Sequence, residues 1–140
     1  MNGRDFIGFF GWVTALTFAL AVANFFVKYV NKKYISKLGK EKVNIVDVYR
    51  KIMKLIVKNH RLFGIIAIIS LILHATVSIL NNRLRVSGML AAILMVIVVV
   101  LGIYGAKFNK NIKGKWLKTH RMLALILIIS IAVHVLVKAI

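Results

Sequence analysis

Four long apolar runs interrupt an otherwise polar and basic chain: Phe6–Val27, Leu62–Leu80, Val86–Ala106 and Leu123–Val137. The last is lengthened by the flanking Lys118–Met122, giving a span of about 120–138. Each run comes near the ~20 residues that a helix needs to cross a hydrocarbon core of about 30 Å. The pattern predicts an all-α membrane protein, a single four-transmembrane-helix bundle over residues 1–140. Thr14, Thr17 and Asn24 in the first run are expected to turn toward other helices, because lipid offers them no hydrogen-bond partner. Proline is absent, so no kinks are announced.

The connection between the first two runs is too long for a simple turn. Within it, Ile45, Val48, Tyr49, Ile52 and Ile56 recur at helical spacing opposite Asp47, Arg50, Lys51, Lys54 and Lys58. This predicts an amphipathic helix over about 44–58 at the membrane surface, leading into the second span. It can anchor to anionic lipid headgroups or receive an acidic partner protein. Trp116 falls where an interfacial aromatic belt would place it.

Charge sets the topology. The chain holds 21 Lys and Arg against 3 Asp and Glu, and is 61% hydrophobic. The basic residues lie between the apolar runs, so they speak of membrane orientation and surface partners, and no nucleic-acid partner is read. Eleven fall in Lys28–Arg61 and six in Lys107–Arg121, while Arg4, Arg83, Arg85 and Lys138 are the remainder. The positive-inside rule then puts the 1–2 and 3–4 connections in the cytoplasm and both termini outside. Spans 2 and 4 run parallel, each starting at the cytoplasmic face. The first run is read as a retained helix, since a signal peptide has a shorter apolar core behind a basic start.

Cysteine is absent, which excludes disulfides, thiolate metal sites, iron–sulfur clusters and covalent c-type haem. The four histidines carry the candidate chemistry. His60 and His74 are separated by 14 residues, as are His120 and His134, and the pairs are offset by 60. An ungapped alignment of Lys58–Leu80 on Lys118–Ile140 matches Lys58, His60, Arg61, Ile66, Ile68, Ile69, Ser70, His74 and Val77 with Lys118, His120, Arg121, Ile126, Ile128, Ile129, Ser130, His134 and Val137. Fourteen residues are just under four turns, so both histidines of a helix lie near one face about 21 Å apart. On parallel helices this matches His60 in depth with His120, and His74 with His134. Each level offers two imidazoles, the axial pair of a six-coordinate haem iron. His60 and His120 are thus the candidate metal ligands of an inner haem, and His74 and His134 those of an outer one.

Other residues fit two haem b groups held without covalent bonds. Gly64, Gly102 and Gly105 fall near the inner level and Gly8 and Gly11 near the outer, where missing side chains leave room for a flat macrocycle; close helix packing uses glycine in the same way. Arg61 and Arg121 follow the inner histidines and are candidate cofactor-binding residues for the propionates, or simply positive-inside residues. Ser70 and Ser130 stand one turn before the outer histidines, where a hydroxyl can bond a backbone carbonyl or an imidazole nitrogen.

Two other readings compete with this one. Zinc usually takes three or four protein ligands, and each level supplies two histidines with no carboxylate nearby. Ion pathways use ionisable residues within the spans, whereas Asp5, Glu41 and Asp47 all lie outside them. A cofactor-free membrane anchor or assembly subunit, with histidines engaged in packing, stays open as the alternative.

The paired His-x13-His pattern on helices separated by one other resembles the four-helix dihaem cytochrome b superfamily, over about residues 58–140. Within it, KNHRLFG with HATVSI and KTHRMLA with HVLV are similar to the ferric-reductase-like transmembrane domain and to small bacterial or archaeal b-type cytochromes related to cytochrome b561. The resemblance implies transmembrane electron transfer, with His60, His74, His120 and His134 as haem ligands. It further implies an electron-transfer subunit of an oxidoreductase complex in a bacterial or archaeal cell membrane, without catalytic residues of its own. No glycine-rich phosphate loop, flavin motif or nicotinamide motif follows the helices. Electrons would therefore pass through a flavoprotein, an iron–sulfur protein or membrane quinone, with a redox partner docking on the basic cytoplasmic face.

Overall fold

The computed structural model describes residues 3–38, 43–108 and 114–139, and its described residues are almost entirely helical, with no strand among them. Glu41 and the loop positions Lys40, Lys42, Lys110 and Lys113 lie outside the described residues. Four helices follow in order: α1 (Gly3–Lys33), α2 (Val43–Leu80), α3 (Val86–Lys107) and α4 (Lys115–Ala139), with a short 3-10 turn at Ile35–Lys37 between the first two. All four are long and apolar enough to cross a bilayer. The protein is a multi-pass membrane protein, and the many exposed Leu, Ile, Val and Phe side chains along the helices are its lipid-contacting surface.

The segment 44–58 and the span 62–80 are one unbroken helix of 38 residues. Nothing in Lys58-Asn59-His60-Arg61 interrupts it: Asn59, a weak helix former, bonds its amide back to the Leu55 carbonyl at 3.0 Å within the helical ladder. α1 likewise continues beyond Val27 to Lys33, where Lys32 and Lys33 complement the negative end of the helix dipole.

The end of α2 is chemically specified. Asn82 has φ 51° and is the one described non-glycine residue in the left-handed region. The Arg83 N–H donates to the Ser78 carbonyl at 2.8 Å and the Asn82 N–H to the Ile79 carbonyl at 3.0 Å. That double closure is a Schellman motif, with asparagine where glycine is commonest.

The residues group into two compact units, 12–67 and 1–11 with 68–140. In the first, α1 and α2 run antiparallel, tied by Tyr49 Oη donating to the Val27 carbonyl at 2.8 Å and His60 Nδ1 to the Ala21 carbonyl at 3.0 Å. In the second, the first turns of α1 lie against the end of α2, and α3 and α4 form an antiparallel hairpin. Arg85, the N-cap residue of α3, donates from its guanidinium to the Val137 carbonyl at 2.6 Å in the last turns of α4. That carbonyl belongs to a helix end whose acceptors lack intrahelical donors.

The deepest burial marks the histidine faces. Leu127 is 0% exposed and Ala67 is 2% exposed. They occupy equivalent positions in the sequence repeat, seven residues from each histidine of their own helix. Seven residues are close to two turns, so each shares a face with both histidines. The His60/His74 face of α2 and the His120/His134 face of α4 are therefore the interior faces of those helices.

Candidate functional site

A histidine inside a membrane protein must place two ring nitrogens. The ring N–H needs an acceptor, and the other nitrogen carries a lone pair. Helix interiors leave few acceptors, because most backbone carbonyls already receive a bond from four residues on. Each carbonyl oxygen nevertheless has a second lone pair, reachable where the side chain covering it is small.

Three of the four histidines use this resource. His74 Nδ1 meets the Ile7 carbonyl of α1 at 3.0 Å, His120 Nδ1 the Val98 carbonyl of α3 at 3.0 Å, and His60 Nδ1 the Ala21 carbonyl of α1 at 3.0 Å. A carbonyl only accepts, so Nδ1 carries the hydrogen in each and Nε2 carries the lone pair. This tautomer, with Nδ1–H held by backbone, is how metal-ligating histidines are commonly oriented.

Glycine opens two of these contacts. Gly11 stands four residues after Ile7, and a Cβ on it would lie 3.1 Å from Cε1 of His74. Gly102 stands four residues after Val98, and its Cβ would lie 3.4 Å from Cε1 of His120. In a helix the side chain at i+4 lies beside the carbonyl of residue i, so its absence lets an imidazole reach the oxygen. His60 reaches Ala21 without a glycine, since Phe25 occupies the corresponding position and is exposed.

His134 differs. It lies against Gly88, where a Cβ would stand 2.9 Å from its Cε1. The residue four positions before Gly88 is Leu84, which precedes the start of α3 at Val86. The Ser87 hydroxyl stands beside the same ring, with Oγ 3.1 Å from Nδ1.

The rings of His74 and His134 have centroids 6.3 Å apart and planes at 84°. With metal–imidazole bonds of about 2.0–2.1 Å, two rings on opposite sides of one metal place their centroids roughly 6 Å apart. Rotation about the shared axis leaves the angle between planes unconstrained. The ring separation leaves room for one metal between the two imidazoles, so His74 and His134 are the residues that would hold a haem at this level. No group of three or more His, Asp or Glu side chains with metal-binding placement occurs among the described residues.

The other candidate positions divide. His60 and its acceptor Ala21 belong to unit 12–67 and His120 to the other unit. Arg61 and Arg121 are exposed, and Ser70 is buried. A Cβ on Gly8 or Gly64 would meet nothing within 4 Å. Gly105 does not leave room for a macrocycle: a Cβ there would overlap the indole ring of Trp116. That glycine admits Trp116 between α3 and α4. Two residues of the outer site, Ser87 and Gly88, were not singled out from sequence. The available signal was the 14-residue spacing of Gly88 and Gly102, the same as that of His120 and His134.

No family profile, no curated protein and no solved structure matches this chain.

Proposed function

We propose that this chain is a dihaem b-type cytochrome that conducts electrons across a membrane. The observation that carries the reading is the outer pair: two imidazoles from separate helices with ring centroids 6.3 Å apart, and a His74 tautomer, set by the Ile7 carbonyl, that would leave Nε2 free to hold an iron. The inner pair, His60 and His120, is assigned through the sequence repeat. It is supported by the same Nδ1-to-carbonyl arrangement at each of its two histidines.

Bound at these levels, haem would supply reversible one-electron chemistry. The chain's own contribution would be to hold His60, His74 and His120 in one tautomer through backbone carbonyls and to keep the histidine faces buried. Arg61 and Arg121 would neutralise propionates. A flavoprotein, an iron–sulfur protein or quinone would deliver or accept electrons, and the basic cytoplasmic connections would steer an acidic donor.

The test is a reduced-minus-oxidised visible spectrum of the detergent-purified protein, with haem and protein quantified on the same sample. Two b-type haems per chain are expected. A folded protein that takes up no haem on reconstitution would overturn the reading in favour of a cofactor-free anchor.

A further inference from the structure

The first half of α2 carries two separate apolar faces. One packs on α1: Val46 is buried, and Tyr49 Oη is bonded to the Val27 carbonyl. The other is Ile45, Val48, Ile52 and Leu55, at the i, i+3, i+7, i+10 spacing of a helix that pairs with another helix. These four side chains are 52–61% exposed, so the chain itself leaves this stripe open.

Lipid does not reach it. α2 ends at Leu80, and the ~20 residues that cross a hydrocarbon core extend back from there to about Arg61. The helix runs on unbroken, so its rise of about 1.5 Å per residue places Ile52 roughly 13 Å and Ile45 roughly 24 Å beyond that edge along the axis. Headgroups extend only about 6 Å past the hydrocarbon. Tilting the helix to submerge more of it would draw Arg61, Lys58 and Lys54 into hydrocarbon, where charged side chains are strongly disfavoured. A break near Arg61 would let the segment lie flat on the membrane, but the helix has none there.

Charge selects the occupant. Lys51 and Lys58 line one edge of the stripe, with Lys54 and Arg50 farther round the helix, and all four are exposed. Asp47 is the one acidic residue of Val43–Arg61. Two copies of the chain paired through this stripe would carry these like charges into a single seam, whereas a partner with carboxylates along it is attracted at the same positions. We propose that the Ile45–Leu55 face of α2 is a docking surface for a second protein, one that presents an amphipathic helix with apolar residues at the same spacing and Asp or Glu along its edge. The acidic partner of the electron-transfer reading would land here, yet the surface needs no haem and stands or falls without it.

The chain has no cysteine, so single cysteines report on this face without background. Ile52→Cys and Val48→Cys, with Arg50→Cys on the opposite side of the helix as control, are treated with a water-soluble maleimide in two settings. One is opened membranes of the cell that makes the protein, and the other is the full-length protein purified in detergent, with circular dichroism to check that each variant is folded. All three are expected to label when purified. In the native membranes Ile52→Cys and Val48→Cys are expected to lose labelling while Arg50→Cys keeps it, and a wash in about 1 M salt, which screens charge contacts, is expected to restore it. A benzophenone on Ile52→Cys should crosslink, in unwashed membranes, to a protein with an acidic amphipathic helix. Labelling of the stripe in both settings would show an empty face and overturn the proposal. Protection that persists in the purified protein, in detergent or in phosphatidylcholine vesicles, would assign the face to lipid or to a second copy, as would a crosslinked dimer of the chain, and either result overturns it. Protection that survives the salt wash rules out an acidic partner. Haem content of the same membranes is a separate readout: a haem-free protein with a protected stripe would sink the cytochrome reading alone, and a haem-loaded protein with an open stripe would sink this one alone.

Discussion

A Cβ built on Gly88 would stand 2.9 Å from Cε1 of His134, closer than non-bonded carbon atoms tolerate, while one on Gly102 would stand 3.4 Å from Cε1 of His120. Both glycines touch a histidine ring from α3, but with different clearance. Gly88→Ala must displace the imidazole or push the helices apart, and overpacking of this kind costs about 1–3 kcal/mol. Gly102→Ala is expected to cost well under half as much. Thermal unfolding in detergent, with haem-to-protein ratio measured on the same samples, checks this. Gly88→Ala should lower both and Gly102→Ala should leave the ratio near wild type. Equal behaviour of the two variants would show that the rings are not confined as described.

His74→Ala separates a ligand from a packing histidine. If the ring only packs, its loss removes one hydrogen bond to the Ile7 carbonyl, worth about 0.5–1.5 kcal/mol, and leaves the cofactor content unchanged. If it coordinates iron, one of two haems disappears and the other remains. Haem quantification on His74→Ala and His60→Ala decides, since each is expected to retain half. A variant with wild-type haem content would remove that histidine from the ligand set.

Much of this arrangement was legible in the chain because bilayers impose length: four apolar runs became four helices. The meeting of His74 with His134 was legible because a 14-residue spacing is close to an integral number of turns. What could not be read was the partner of each histidine. The carbonyls of Ile7, Ala21 and Val98 carry no side-chain signature, so nothing in the letters marks them as acceptors. Facing was hidden as well: α3 is apolar all round, and a lipid-exposed valine reads the same as a buried one. Gly105 shows the consequence. Its depth suggested space for a macrocycle, yet only the structure reveals that Trp116 fills it.

The turn after α2 offers a prediction independent of any cofactor. Asn82 holds φ 51°, a conformation that costs an ordinary L-residue roughly 1–2 kcal/mol and glycine almost nothing. Asn82→Gly is therefore expected to match or exceed wild-type stability and Asn82→Ala to fall below it. Thermal unfolding of the two variants in the same detergent measures the difference. An alanine variant as stable as the glycine one would mean that the left-handed residue contributes nothing to ending the helix.

Orientation can be tested without background because the chain contains no cysteine. Ser36 lies in the 3-10 turn after α1, and Arg83 in the turn between α2 and α3; both are exposed. By the positive-inside rule, the surplus of Lys and Arg around the first position predicts that it is cytoplasmic and the second outside. In intact cells, a membrane-impermeant thiol reagent should label Arg83→Cys and spare Ser36→Cys until the membrane is opened. The reverse pattern would invert the topology. It would then place His74 and His134 on the cytoplasmic side, so that a soluble donor would meet the Ser87 end of the site first.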